Sequence, residues 1–200
     1  MKPVRADAVM KVNEIFYSIQ GEGGRTGAPS VFVRLSNCDL ACTYCDTEFV
    51  SGAEMSIEEI HARVARYPCP WMIWTGGEPA LQLTAEAVRY FRERGYKQAI
   101  ETNGNHALPA GLDWITVSPK VAEHVLKRNF PNGVTELRYP RHKGQPDIPQ
   151  PSISADYYYL SPIFNGPEPD TENIRHCIQL CLAHPRWRLS LQTHKFIHLP

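Results

Sequence analysis

The chain has 200 residues, 42% of them hydrophobic and 21% charged, a size and balance able to bury one working core. Its 21 Lys plus Arg equal its 21 Asp plus Glu. Without a basic surplus, a broad nucleic-acid surface is excluded as an expectation, whereas a local pocket for a small anion is not. The opening Met1-Lys2-Pro3-Val4-Arg5-Ala6-Asp7 leads into no apolar signal core, and no stretch approaches the roughly 18 apolar residues of a membrane span. A single domain over residues 1–200, in the cytoplasm and away from membranes, is the expectation, and its six cysteines then stay reduced.

In chain order, residues 12–19 alternate apolar and polar side chains and read as a hairpin strand ahead of the main sheet. Residues 31–35 form the first apolar strand, followed by a loop that carries three cysteines. Ser56-Ile57-Glu58-Glu59 is a capping box, predicting a helix to about Tyr67 that Pro68 stops. A strand over 71–74 precedes a helix over 84–94, which Gly95 suits as a terminator. Strands follow at 98–100, 114–117 and 134–138. The segment 140–155 holds Pro140, Pro146, Pro149 and Pro151 and reads as an irregular excursion. A strand at 157–160, a helix from near Thr171 to before Pro185, and a strand at 188–191 complete the reading. Cys177 and Cys181, four apart on that helix, are expected to pack, as is the aromatic run Tyr157-Tyr158-Tyr159.

Strands alternating with helices predict an α/β fold with a mainly parallel sheet. About six parallel strands are too few for a closed eight-stranded barrel, so a partial, open (β/α) barrel is expected. Parallel strands place their C-terminal ends on one side, where α/β proteins keep their sites. Four polar motifs fall at such ends. They are the cysteine loop, Thr75-Gly76-Gly77-Glu78-Pro79, Glu101-Thr102-Asn103-Gly104 and Ser118-Pro119-Lys120.

The cysteine loop has the spacing C-x3-C-x2-C at Cys38, Cys42 and Cys45. Soft thiolates suit an iron–sulfur cluster, and three of them leave one iron of a cubane open for chemistry. The alternative is structural zinc, which wants four closed ligands, His61 or His106 being possible fourths.

These cysteines, with Tyr44 before the last of them, resemble the signature of the radical S-adenosylmethionine superfamily. Gly76-Gly77-Glu78-Pro79 resembles that superfamily's second motif, which holds the methionine amino group. Further segments resemble the family of 7-carboxy-7-deazaguanine synthases along nearly the whole chain. Among them are residues 14–23, Thr26-Gly27, Phe32-Val33-Arg34-Leu35, Cys45-Asp46-Thr47 and Gln192-Thr193-His194-Lys195. The resemblance implies a [4Fe–4S] cluster on the three cysteines, S-adenosylmethionine and Mg2+ as cofactors, and a homodimer. It also implies an external electron donor such as flavodoxin. The implied reaction turns 6-carboxy-5,6,7,8-tetrahydropterin into 7-carboxy-7-deazaguanine with loss of ammonia, on the route to queuosine. A glycyl-radical activating enzyme is the nearest rival, and a non-catalytic iron–sulfur or zinc module a more distant one.

Residue roles follow from the same resemblance. Ile19, Gln20, Gly21, Arg34 and Thr75 are expected at the pterin, Arg34 pairing with its carboxylate as a guanidinium fork suits. Thr47 is expected on Mg2+. Tyr44, Asp46, Gly77, Glu101, Ser118, Pro119 and Lys120 are expected at S-adenosylmethionine, and Leu160, Ser161, Pro162 and Ile163 around its adenine. The apolar tail is expected to fold inward, with the Pro200 carboxylate meeting the amino-pyrimidine edge of the substrate.

Overall fold

The computed structural model describes residues 9–45, 47–164, 166 and 168–199. Their strands form one nine-stranded sheet in the order β3-β1-β2-β4-β5-β6-β7-β8-β9. Strand β1 (Val9–Ile19) pairs antiparallel with both β2 (Pro29–Leu35) and β3 (Ala53–Ser56). From β2 onward every pairing is parallel, through β4 (Trp71–Gly76), β5 (Lys97–Thr102), β6 (Trp114–Val117) and β7 (Val134–Arg141) to β8 (Ala155–Pro162) and β9 (Arg188–Leu189). Seven strands therefore run together where about six were expected, and no pairing joins the two ends. The sheet is an open α/β arc.

Helices α1 (Ile57–Val64), α2 (Ala85–Glu93), α3 (Glu123–Asn129) and α4 (Thr171–Ala183) fill the crossovers, and α5 (Thr193–Phe196) follows β9. The capping box at α1 forms as its sequence dictates: Glu59 N–H donates to the Ser56 hydroxyl, and Ser56 N–H donates to the Glu59 carboxylate. In β4, Met72, Ile73 and Trp74 are all fully buried, as a parallel strand covered on both faces requires. The Trp74 indole N–H donates to Gln98 Oε1 at 3.0 Å, and Gln98 Nε2 donates to Val88 O at 2.8 Å, so this core carries its polar groups satisfied.

Two apolar clusters form the core, one around Trp74, Phe91 and Ile60, the other around Leu137, Leu160 and Leu126. Cys177 is buried in the second cluster with Cys181 packed against it, and Tyr158 and Tyr159 are buried too, as expected. No helix among the described residues is long and apolar enough to cross a membrane.

Candidate active site

The C-terminal ends of the parallel strands open on two adjoining cavities. The first, of about 240 Å³, follows from β2, β4, β5, β6 and β8 and brings together Cys38, Cys42, Cys45, Tyr44, Gly77, Ser118, Lys120, Ser161, Pro162 and Ile163. The second, of about 510 Å³, is lined by Ile19, Gln20, Gly21, Arg34, Thr47, Phe16 and Phe32. Thr75 and Glu101 face both, together with Glu22, Arg138, Gln192 and Lys195. The two groups of residues expected at the two small molecules thus fall into two compartments with one shared wall.

Two of the expected residues do not reach the linings. Leu160 is wholly buried in the second core cluster, because strand alternation turns it away from Ser161 on the cavity side. Pro119 lines neither cavity, although its neighbours Ser118 and Lys120 do. Asp46 and Pro200 lie outside the described residues.

The glycine pair explains how the cysteine loop is held. Gly76 has φ +117°, and a Cβ there would lie 2.0 Å from Leu35 O; one on Gly77 would lie 1.9 Å from Asn37 O. Only glycine lets the end of β4 close on the start of the cysteine loop. Gly77 N–H donates to Leu35 O at 2.9 Å and Glu78 N–H to Asn37 O at 2.8 Å. Glu78 itself is fully buried and accepts from Thr102 Oγ1, Asn103 N–H and Ala80 N–H at 2.7–2.9 Å. Its side chain braces the loop after β5 against β4 and does not face the cavity. Burial nevertheless pushes this carboxyl above its usual range.

Lys120 donates to the Ser118 hydroxyl at 2.7 Å and lies 5.8 Å from the Tyr44 ring centroid. Burial pulls its ammonium down to about 8. In the shared wall, one guanidinium serves three carboxylates. Arg138 pairs with Glu101, with Glu22 at 3.3 Å and with Glu136 at 3.3 Å. Gln20 Nε2 donates to Glu101 Oε1 at 3.0 Å, and Gln192 Nε2 to Glu22 Oε1 at 3.1 Å. Burial pushes Glu101 up to about 7, with Arg138 opposing the rise and Glu136 and Glu22 adding to it. Sequence reasoning missed this hub. Its members come from the β1–β2 loop, β5 and β7, and no local spacing signals a contact between residues so far apart. Arg34, which lines the second cavity, pairs with Glu14 at 2.7 Å.

Sheet and site together define a radical S-adenosylmethionine protein, and residues 33–138 match the model of the Radical SAM superfamily. The chain is 39% identical over 191 residues to the 7-carboxy-7-deazaguanine synthase of Bacteroides thetaiotaomicron, covering 94% of this chain and 98% of that one. It is 40% identical over 193 residues to the enzyme of that name from Haemophilus influenzae, covering 92% and 91%. The structure of QueE from Escherichia coli superimposes with a TM-score of 0.73 at 26% identity, covering 96% of this chain and 97% of that one. The chain belongs to the 7-carboxy-7-deazaguanine synthase family. Membership of the superfamily brings with it a [4Fe–4S] cluster and S-adenosylmethionine.

The residues present fit that cluster. The three thiols share one cavity. A cubane binds its cysteines on separate irons, so it needs soft donors spread around a volume. Neither His61 nor His106, the possible fourth zinc ligands, lines the cavity of the three thiols. His106 is bonded to Asp39 at 2.7 Å, and His61 lies among Tyr90, Phe91 and Tyr96.

Proposed function

We propose that this protein converts 6-carboxy-5,6,7,8-tetrahydropterin to 7-carboxy-7-deazaguanine with release of ammonia, in the biosynthesis of queuosine and related deazapurines. The observation that carries the reading is the pair of adjoining cavities, one lined by three thiols and one not, with polar residues such as Glu101 and Arg138 lining both. Cys38, Cys42 and Cys45 would hold the cluster. Bound there, cluster and S-adenosylmethionine supply a 5′-deoxyadenosyl radical when an electron arrives.

The chain's own groups bind, orient and manage protons. Ser118, Lys120, Tyr44 and Gly77 are placed to hold S-adenosylmethionine, with Ser161, Pro162 and Ile163 closing around its adenine. Asp46, flanking the third cysteine, belongs to the same proposal. Arg34 offers a planar fork to the pterin carboxylate. The Gln20 amide and the backbone of Ile19 and Gly21 offer the donors and acceptors a planar heterocycle needs. Thr47, lining the same cavity, offers a hard oxygen to Mg2+. Loss of ammonia requires proton movement, and Glu101, facing both compartments with its carboxyl pushed up to about 7, can hold or release a proton near neutrality. A homodimer, an external donor such as flavodoxin, and a cytoplasmic setting that keeps the thiols reduced complete the reading.

Anaerobic incubation of the reconstituted protein with the pterin, S-adenosylmethionine, Mg2+ and a reductant tests it by product mass. The expected product is 7-carboxy-7-deazaguanine, with ammonia in equal amount. Cleavage of S-adenosylmethionine with the pterin untouched would instead favour an activating enzyme for a partner protein.

A further inference from the structure

Asp39 sits inside the cysteine loop, one residue after Cys38, and its carboxylate is fully engaged. Oδ1 accepts from Asn103 Nδ2 at 3.2 Å, and Oδ2 accepts from Asn105 Nδ2 at 2.6 Å and bonds His106 Nε2 at 2.7 Å. All three partners come from one segment, more than 60 residues away in sequence, just after β5.

That segment is itself anchored. Asn103 N–H donates to the buried Glu78 carboxylate at 2.7 Å, Asn105 N–H donates to Asn103 Oδ1 at 2.8 Å, and Asn129 Nδ2 donates to Gly104 O at 3.0 Å. The cysteine loop, by contrast, has little internal support. Among the described residues, the stretch from 38 to 45 makes one backbone–backbone hydrogen bond within the loop, from Cys45 N–H to Cys42 O at 3.2 Å. A loop with so few bonds of its own takes its shape from whatever fastens it to the scaffold.

We propose that Asp39 is a positioning residue for the iron–sulfur cluster: its carboxylate ties the ligand loop to the segment 103–106 and thereby sets how firmly the three thiolates hold iron. The proposal rests on Cys38, Cys42 and Cys45 being the ligands. It extends the known behaviour of metal sites, in which groups outside the ligand set orient the ligands and their loss weakens metal retention about 10- to 100-fold. Asp39 makes no contact with the reacting molecules in this account. It acts through the loop.

The test uses wild type, Asp39→Ala, the isosteric Asp39→Asn, and Cys42→Ala, all reconstituted anaerobically with iron and sulfide. An excess of an iron chelator is added and the visible charge-transfer absorbance followed. EPR spectra of the reduced clusters and thermal unfolding of the cluster-free proteins are recorded alongside. Both Asp39 variants are expected to bleach about tenfold faster than wild type, with an altered EPR line shape. Their cluster-free unfolding should match that of the wild type. Bleaching at the wild-type rate would overturn the proposal. So would an equal loss of stability in the cluster-free chain, which would make Asp39 a general brace of the fold. Cys42→Ala separates this inference from the one beneath it. A full iron and sulfide complement in that variant would overturn the ligand assignment itself, whereas failed loading beside wild-type bleaching of Asp39→Ala would remove only the role of Asp39.

Discussion

Arg34 and Glu101 show how single side chains at this site can be tested apart from the cluster. Arg34 is only partly exposed, and its carboxylate partner among the described residues is Glu14, at 2.7 Å. Replacing it with Met should weaken pterin binding about 10- to 100-fold, the effect of losing a charge-assisted bond, while iron content stays unchanged. Calorimetric titration with the pterin reads this directly, and wild-type affinity would remove Arg34 from the substrate. For Glu101 the sign follows from the raised pKa. The folded chain favours the protonated carboxyl, so its contribution to stability is full below about 4.5 and is lost as pH rises through about 7. Glu101→Gln cannot ionise. Between pH 5 and pH 8 the cluster-free variant should lose roughly 1–3 kcal/mol less stability than the cluster-free wild type, measured by denaturant unfolding at both pH values. Identical pH dependence would show that Glu101 is ionised throughout. At this scale the sequence was legible where chemistry is local: three cysteines within eight residues declare themselves. The Arg138 hub was not legible, because Glu22 of the β1–β2 loop, Glu101 of β5 and Glu136 of β7 meet only once the fold has brought them together. The burial of Leu160 away from the lining was not legible in the run 160–163, because a strand presents alternate faces.

Elements announced by caps and periodicity were the ones read correctly. Helix α1 opens with a complete capping box, and α2 opens with the Thr84 hydroxyl accepting from Ala87 N–H. Ser56→Ala should therefore cost about 1 kcal/mol in thermal or denaturant unfolding, with cluster loading unaffected. No measurable loss would mean that packing of Ile57, Ile60 and Val64 alone secures that helix. The elements missed had no such signal. Helix α3 starts behind Ala122 with no side-chain cap and spans 7 residues, and α5 spans 4 and is likewise uncapped. Strand β3 is four residues long and exists through its pairing with β1, about 45 positions earlier, a non-local bond that sequence pattern does not display. The strand expected over 188–191 is two residues long, Arg188–Leu189; Ser190 N–H still donates to Leu160 O at 2.9 Å, and the chain then turns into α5. That turn matters to function: it carries Gln192 and Lys195 to the shared wall and His194 and Leu199 to the second cavity.

Over the whole molecule, an open arc of parallel strands turns several unremarkable loop motifs into one mouth with two rooms. The parallel order was legible because each strand is followed by a helix or a long crossover, which forbids hairpins after β2. The pair of adjoining cavities was not, since Glu101 and Arg138, which line both, meet only across β5 and β7. The central claim is that two different molecules occupy these rooms at once, S-adenosylmethionine beside the thiols and the pterin beside Arg34. Calorimetric titration of the pterin into anaerobically reconstituted, unreduced protein, with and without saturating S-adenosylmethionine, tests it most directly. The account predicts one pterin per chain in both titrations, with affinity undiminished when S-adenosylmethionine is bound. Loss of pterin binding in the presence of S-adenosylmethionine would mean that the two molecules compete for one room, and would contradict the account.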